Sequence, residues 1–278
     1  MVQAVKVSEA PAQVAVLRSL RGGPAPSAPN TRTPVCLLHG LGSRARDWQP
    51  QFDTLEFDRP WFAPDLRGHG DSPKVNAPIS VRDHARDVAL ALDEWCPDRE
   101  LHLVGLSLGS MIALELARLR PKRCASLFLV STTGDTRPKG SFEPFFLRLQ
   151  LNFLRWFGLR SSAHLIAWLL FPRIKRRTQR RALVNQLTSN DPRSFRACLG
   201  GIPGWEVLSN ASAICAPAVI LRPEHDFFPE RVALQLATAL PNGYLQRLGG
   251  VGHAAPVEDP TRVNSLLLEH WRAVEAAR

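Results

Sequence analysis

The chain has 278 residues, 45% hydrophobic, 22% charged and 8% aromatic, and 35 Lys or Arg against 25 Asp or Glu give it a formal charge of +10. These proportions exclude a disordered or fibrous chain and allow one large domain or one domain with an insertion. The longest strongly apolar run, Leu165 to Phe171, falls well short of the roughly 20 residues that cross a bilayer, so no integral membrane helix is expected.

Val2–Val7 and Gln13–Leu20 read as two short strands around the turn Glu9-Ala10-Pro11, and no apolar run of the signal-peptide kind follows the first charge. A loop rich in Pro, Gly and Ser covers Gly22–Pro34. Val35–Leu38, Trp61–Pro64 and Leu101–Val104 are short apolar runs of buried-strand type. Between the last two, Ser80–Trp95 carries Val81, Ala85, Val88, Leu92 and Trp95 at helical spacing, and Leu108–Leu119 is a largely apolar helix. Ala125–Val130, Ala218–Leu221 and Tyr244–Leu248 are further strands, with helices at Pro229–Leu240 and Pro260–Ala276. Strands alternating with helices predict an α/β sheet, mostly parallel.

Asp135–Ser212 breaks that alternation. Phe142–Phe157, Ser161–Leu170, Ile174–Thr188 and Pro192–Leu199 all read as helical, so residues 135–212 form a helical cap inserted into a core made of 1–134 and 213–278. Phe142, Phe145, Phe146, Phe153, Trp156, Phe157 and Trp168 give the cap an aromatic content suited to lining an apolar pocket or to packing on the core. The charge is concentrated here. Asp135–Ala213 holds 13 Lys or Arg and 4 Asp or Glu, densest from Arg173 to Arg181. Such a tract serves a solvated face, an anionic substrate or an anionic membrane surface. Zinc-finger spacing and RNP-like strands are missing from the sequence, so nucleic acid is not an expected partner. The five cysteines, Cys36, Cys96, Cys124, Cys198 and Cys215, have no metal-ligand spacing and read as reduced thiols of a cytoplasmic protein.

The sharpest motif is Gly105-Leu106-Ser107-Leu108-Gly109, between an apolar strand and an apolar helix. A serine hydroxyl attacks a carbonyl only when it is exposed and paired with a base, and the tight turn that exposes it needs small residues on both sides. Ser107 is therefore the expected nucleophile. His253, in the glycine-rich loop after the last strand, is the expected base. Asp226, five residues beyond Leu221, is the expected acid, with Glu224 and Asp135 as rivals. The oxyanion donors are expected to be the amides of Leu108 and of Leu41 in His39-Gly40-Leu41-Gly42, with Gly42 the alternative to Leu41.

Taken together these residues resemble the α/β-hydrolase superfamily over nearly the whole chain. Gly105–Gly109 looks like its nucleophile elbow, His39–Gly42 like its oxyanion loop, and Asp65-Leu66-Arg67-Gly68-His69-Gly70-Asp71-Ser72 like the loop after its following strand. The order Ser107, Asp226, His253 is similar to that of the superfamily. Leu106, where many members carry His, makes the elbow similar to that of enol-lactonase-like and peroxidase-like esterases. The resemblance implies an α/β-hydrolase fold with a mostly parallel sheet of about eight strands flanked by helices, capped by residues 135–212. It also implies structural roles for His39 and the Arg67–Ser72 loop. The implied activity is cofactor-free, metal-free hydrolysis of a small ester, thioester or lactone with a hydrophobic acyl or aryl part. The alternatives are a carbon–carbon bond hydrolase with the same triad and a lipid-surface binder with little turnover.

Overall fold

The computed structural model describes residues 15–28, 31–55, 59–137, 154, 156–168 and 177–278. The strands in these residues are β1 (Ser19–Gly22), β2 (Val35–Leu38), β3 (Trp61–Pro64), β4 (Leu101–Leu106), β5 (Cys124–Val130), β6 (Ala218–His225) and β7 (Gly243–Gly252). They form one sheet in the order β1-β3-β2-β4-β5-β6-β7. β1 runs antiparallel to β3, and the other neighbours are parallel. The expected strand Val2–Val7 lies outside the described residues. The strand expected over Gln13–Leu20 starts instead at Ser19, where its pairing with Pro64 begins.

Residues of alternating parity point to opposite faces of a strand. Cys36 and Leu38 of β2, Leu103 of β4 and Leu127 and Leu129 of β5 join one core with α2 (Val81–Trp95) and α3 (Leu108–Leu119). Val35, Leu37, Val104, Phe128 and Val130 join a second core with α1 (Gln49–Leu55) and with α9 (Pro260–Ala276) on the other face. β2, β3 and β5 are buried throughout, as strands covered on both faces must be.

Among the described residues, no strand lies between β5 and β6. Helical residues 156–168 (α4), α5 (Arg177–Thr188) and α6 (Pro192–Gly200) fall in this interval. The expected helix Phe142–Phe157 lies almost wholly outside the described residues. The chain leaves the core and returns at one neck. Thr136 N–H donates to Trp205 O (2.8 Å), Val207 N–H donates to Gly134 O (2.9 Å), and Asp135 bridges Glu206. Leu159, Ala163 and Ala167 of α4, Val184 and Leu187 of α5 and Phe195 of α6 form a small apolar cluster of their own, with Leu41 packed against it. α7 (Glu230–Ala239) and α8 (Ala255–Glu258) complete the described α-helices. None of these is long and apolar enough to cross a membrane.

The order of the strands fixes where a ligand can sit. β2 and β4 are neighbours, and the chain leaves β2 toward α1 on one face of the sheet and leaves β4 toward α3 on the other. At such a switch point, loops leaving the carboxyl ends of adjacent strands diverge and open a crevice. The loops that follow β2 and β4 hold His39–Gly42 and Ser107.

Candidate active site

Ser107 lies between the last residue of β4 and the first of α3, with φ 54° and ψ −113°. A left-handed φ strains a residue with a side chain, typically by about 1–3 kcal/mol, and persists only where its surroundings hold it. The two glycines of the motif explain how. A Cβ on Gly105 would stand 2.4 Å from Ser110 N, and one on Gly109 would stand 2.0 Å from Leu38 O. The elbow is thus pressed against its own helix on one side and against the end of β2 on the other. Ser107 N–H donates to Val130 O (2.9 Å). Ser110 Oγ both donates to Val130 O and accepts from Val130 N–H, each at 3.1 Å.

His253 and Asp226 meet. The Nδ1–Oδ1 distance is 2.7 Å, with both side chains largely buried. A carboxylate only accepts hydrogen bonds, so Nδ1 carries the proton and Nε2 is left as a base. Asp226 Oδ1 also accepts from Phe228 N–H (3.2 Å). The rival acids are engaged elsewhere. Glu224 accepts from Gly250 N–H (2.7 Å), and Asp135 pairs with Arg137 (3.0 Å).

The loop after β2 reaches the elbow. A Cβ built on Gly40 would lie 3.5 Å from Ser107 Cβ. Ser43 N–H donates to Gly40 O, closing a turn whose third residue, Gly42, has φ +75°. That conformation, and the 2.5 Å at which a Cβ would meet Leu187, require glycine there. Leu108 opens α3, so its N–H has no acceptor within the helix. Among the described residues, neither Leu41 N–H nor Leu108 N–H donates to another group.

The neighbouring histidines serve the scaffold. His39 Nε2 accepts from Leu66 N–H (2.9 Å), while Nδ1 faces Gly40 O (2.8 Å), a neutral imidazole spent on two loops. Burial pushes His39 down to about 4 and His69 to about 3. Asp65 accepts from Ala45 N–H (2.7 Å) and Asp71 N–H (2.9 Å), drawing the 65–72 loop tight. Among the described residues, no cluster of His, Cys, Asp or Glu is placed to hold a metal.

Two groups near His253 carry no spacing signal in the sequence. Phe227 and Phe228 lie together beside its ring at centroid distances of 4.8 and 6.0 Å, and Phe227 is 57% exposed. Ser131 Oγ donates to His253 O (2.8 Å). The cap aromatics are described only in part. Phe142, Phe145, Phe146 and Phe153 lie outside the described residues, while Trp156 and Trp168 are 68% and 55% exposed.

A family model described as alpha/beta hydrolase fold matches residues 33–260, a stretch that includes the elbow, the neck, Asp226 and His253. The chain belongs to the alpha/beta hydrolase fold family. Among curated relatives of this hydrolase-fold chain is the "Putative carbamate hydrolase RutD" of Variovorax paradoxus (strain S110). It is 33% identical over 250 residues, covering 87% of this chain and 92% of the relative. Among solved structures, a thermophilic esterase from Thermogutta terrifontis superposes with a TM-score of 0.81 at 24% identity, covering 93% of each chain. The enol-lactonase from Burkholderia xenovorans LB400 superposes equally well, with a TM-score of 0.81 at 19% identity, covering 91% of this chain and 95% of its own. These two likenesses concern the alpha/beta hydrolase fold.

Proposed function

We propose that the protein is a serine hydrolase that cleaves a small carboxylic ester, thioester or lactone with a hydrophobic acyl or aryl part. The observation that carries this reading is the 2.7 Å contact between His253 Nδ1 and Asp226, at the same end of the sheet as the strained Ser107. His253 Nε2 takes the Ser107 proton as Oγ attacks the carbonyl. Leu108 N–H and Leu41 N–H hold the oxyanion, and loss of one such donor typically costs about 3–4 kcal/mol in the transition state. The imidazolium then protonates the leaving alcohol or thiol, and water releases the acyl group by the same route. The name of the Variovorax relative adds a carbamate to the carbonyl substrates worth assaying. The exposed Phe227 beside His253 favours a substrate with an apolar portion on that side. We assign residues 135–212 as the cap and 1–134 with 213–278 as the core. We also place the protein in the reducing cytoplasm, where Cys36, Cys124 and Cys198 remain buried thiols.

The test is hydrolysis of p-nitrophenyl esters from acetate to octanoate, acyl-CoA thioesters, lactones and carbamates by wild type and Ser107→Ala. The expected result is turnover on at least one class, lost in the variant. Turnover that survives Ser107→Ala overturns the reading.

A second reading, for the cap, is favoured by Trp156 and Trp168, which α4 exposes in a segment rich in Lys and Arg. Trp at an interface with nearby cations suits an anionic lipid surface. Co-sedimentation with phosphatidylserine vesicles that weakens with salt, and is lacking with phosphatidylcholine, is the expected outcome. Equal recovery with both lipids refutes it.

A further inference from the structure

The carboxyl end of β5 touches both the elbow and the histidine loop within three residues. Val130 O accepts Ser107 N–H (2.9 Å), Ser131 Oγ donates to His253 O (2.8 Å), and Thr132 Oγ1 approaches Ser107 O at 3.4 Å. Ser131 is also anchored on its other side, its N–H donating to Leu221 O of β6 at 3.1 Å. It is buried, and its φ is +52°. Glycine adopts that conformation without strain and serine does not. A strained serine in place of a relaxed glycine makes sense when its hydroxyl does something a hydrogen atom cannot.

We propose that Ser131 is a positioning residue that fixes the His253 imidazole relative to Ser107 by holding the His253 carbonyl. The inference rests on the triad reading above. Asp226 grips the ring, and Glu258 accepts from Gly252 N–H (3.0 Å) just upstream. Asp226 lets the ring pivot about its bond, and Glu258 acts one residue away. Ser131 grips the His253 carbonyl itself, and it does so from the strand end that also holds Ser107 N–H. The shortest tie between nucleophile and base thus runs through one tripeptide, Val130-Ser131-Thr132. Proton transfer is sensitive to that distance, and a displacement of about 1 Å can cost about 100-fold in rate. The tether acts on backbone atoms of Ser107 and His253, so its loss is expected in kcat rather than in KM.

The experiment measures kcat, KM and Tm for wild type, Ser131→Gly, Ser131→Ala and Ser107→Ala on the best ester of the panel. Ser131→Gly removes the hydroxyl and relieves the backbone, and Ser131→Ala removes the hydroxyl alone. Both are expected to lower kcat by between about 10-fold and about 100-fold with KM within twofold. Ser131→Gly is expected to keep the wild-type Tm or exceed it, so its loss of rate is not a loss of fold. The rate of Ser107 phosphonylation by an organophosphonate should fall by the same factor, because it too needs the base in place. A Ser131→Gly enzyme with kcat within twofold of wild type overturns the inference and leaves the triad reading intact. A KM that rises in step with the fall in kcat overturns it as well. Activity retained in Ser107→Ala removes both.

Discussion

Asp226 and Glu224 are two residues apart at the end of β6; Asp226 reaches the His253 imidazole, while Glu224 accepts from Gly250 N–H. Asp226→Asn should lower kcat by about 10⁴-fold, because an amide facing Nδ1 favours the wrong tautomer. Glu224→Gln should stay within about threefold of wild type, its carboxylate being engaged with Gly250 N–H. Steady-state kinetics on the two variants decide which carboxylate serves, and a reversal of their order removes Asp226 from the triad. The candidate nucleophile and base were legible in the sequence because each sits among glycines, and a chain that must approach itself leaves glycine as a trace. The amides of Leu41 and Leu108 could be inferred from position only, since a backbone donor has no side-chain signature. Ser131, Phe227 and Phe228 were not legible at all. A hydroxyl bonded to a carbonyl 122 residues away, and rings that meet a third ring across a turn, follow no periodicity.

At the scale of elements, the buried parallel strands were the easiest to read, because both faces must be apolar and the runs are continuous. The ends of the sheet were harder. β7 extends to Gly252, beyond the Tyr244–Leu248 run, because pairing with β6 continues where the residues become polar or Gly. An edge strand with an exposed side gives a broken pattern. One tie between elements was invisible in sequence. Arg59, fully buried just before β3, donates to Glu275 Oε1 of α9 (2.9 Å) and lies 4.7 Å from the centre of the Trp271 ring. Removing one partner of such a pair leaves an uncompensated buried charge. Glu275→Ala should therefore lower the unfolding free energy by about 3 kcal/mol, read by denaturant titration. A loss below about 0.5 kcal/mol would place this contact with ordinary surface pairs.

For the molecule as a whole, the charge asymmetry was plain from composition, whereas the buried imidazoles were not. His39, His69 and His84 lie in a row, with ring centres 5.1 and 6.4 Å apart. Burial holds His39 near 4, His69 near 3 and His84 well below the ordinary histidine range. The unfolded chain binds protons at these sites from about pH 6.5 downward while the folded one does not, so stability falls as pH drops through this window. Each imidazole that stays neutral in the folded chain costs about 2 kcal/mol between pH 7.5 and pH 5. Glu275, held near 2, stays ionised throughout and does not offset the loss. A Tm markedly lower at pH 5 than at pH 7.5 is expected, and an unchanged Tm would contradict the burial of these rings. The hold of the cap on the loop after β2 has a different consequence. Asn190 Nδ2 donates to Gly42 O (2.9 Å), Gln186 Nε2 donates to Ser43 Oγ (3.0 Å), and Arg44 bonds Ser189. These bonds brace that loop from the cap. A chimera that exchanges the cap for another to change what the enzyme accepts would also exchange the brace on the candidate oxyanion loop. Specificity and catalytic power in this chain cannot be engineered as separate modules unless Gln186 and Asn190 travel with the core.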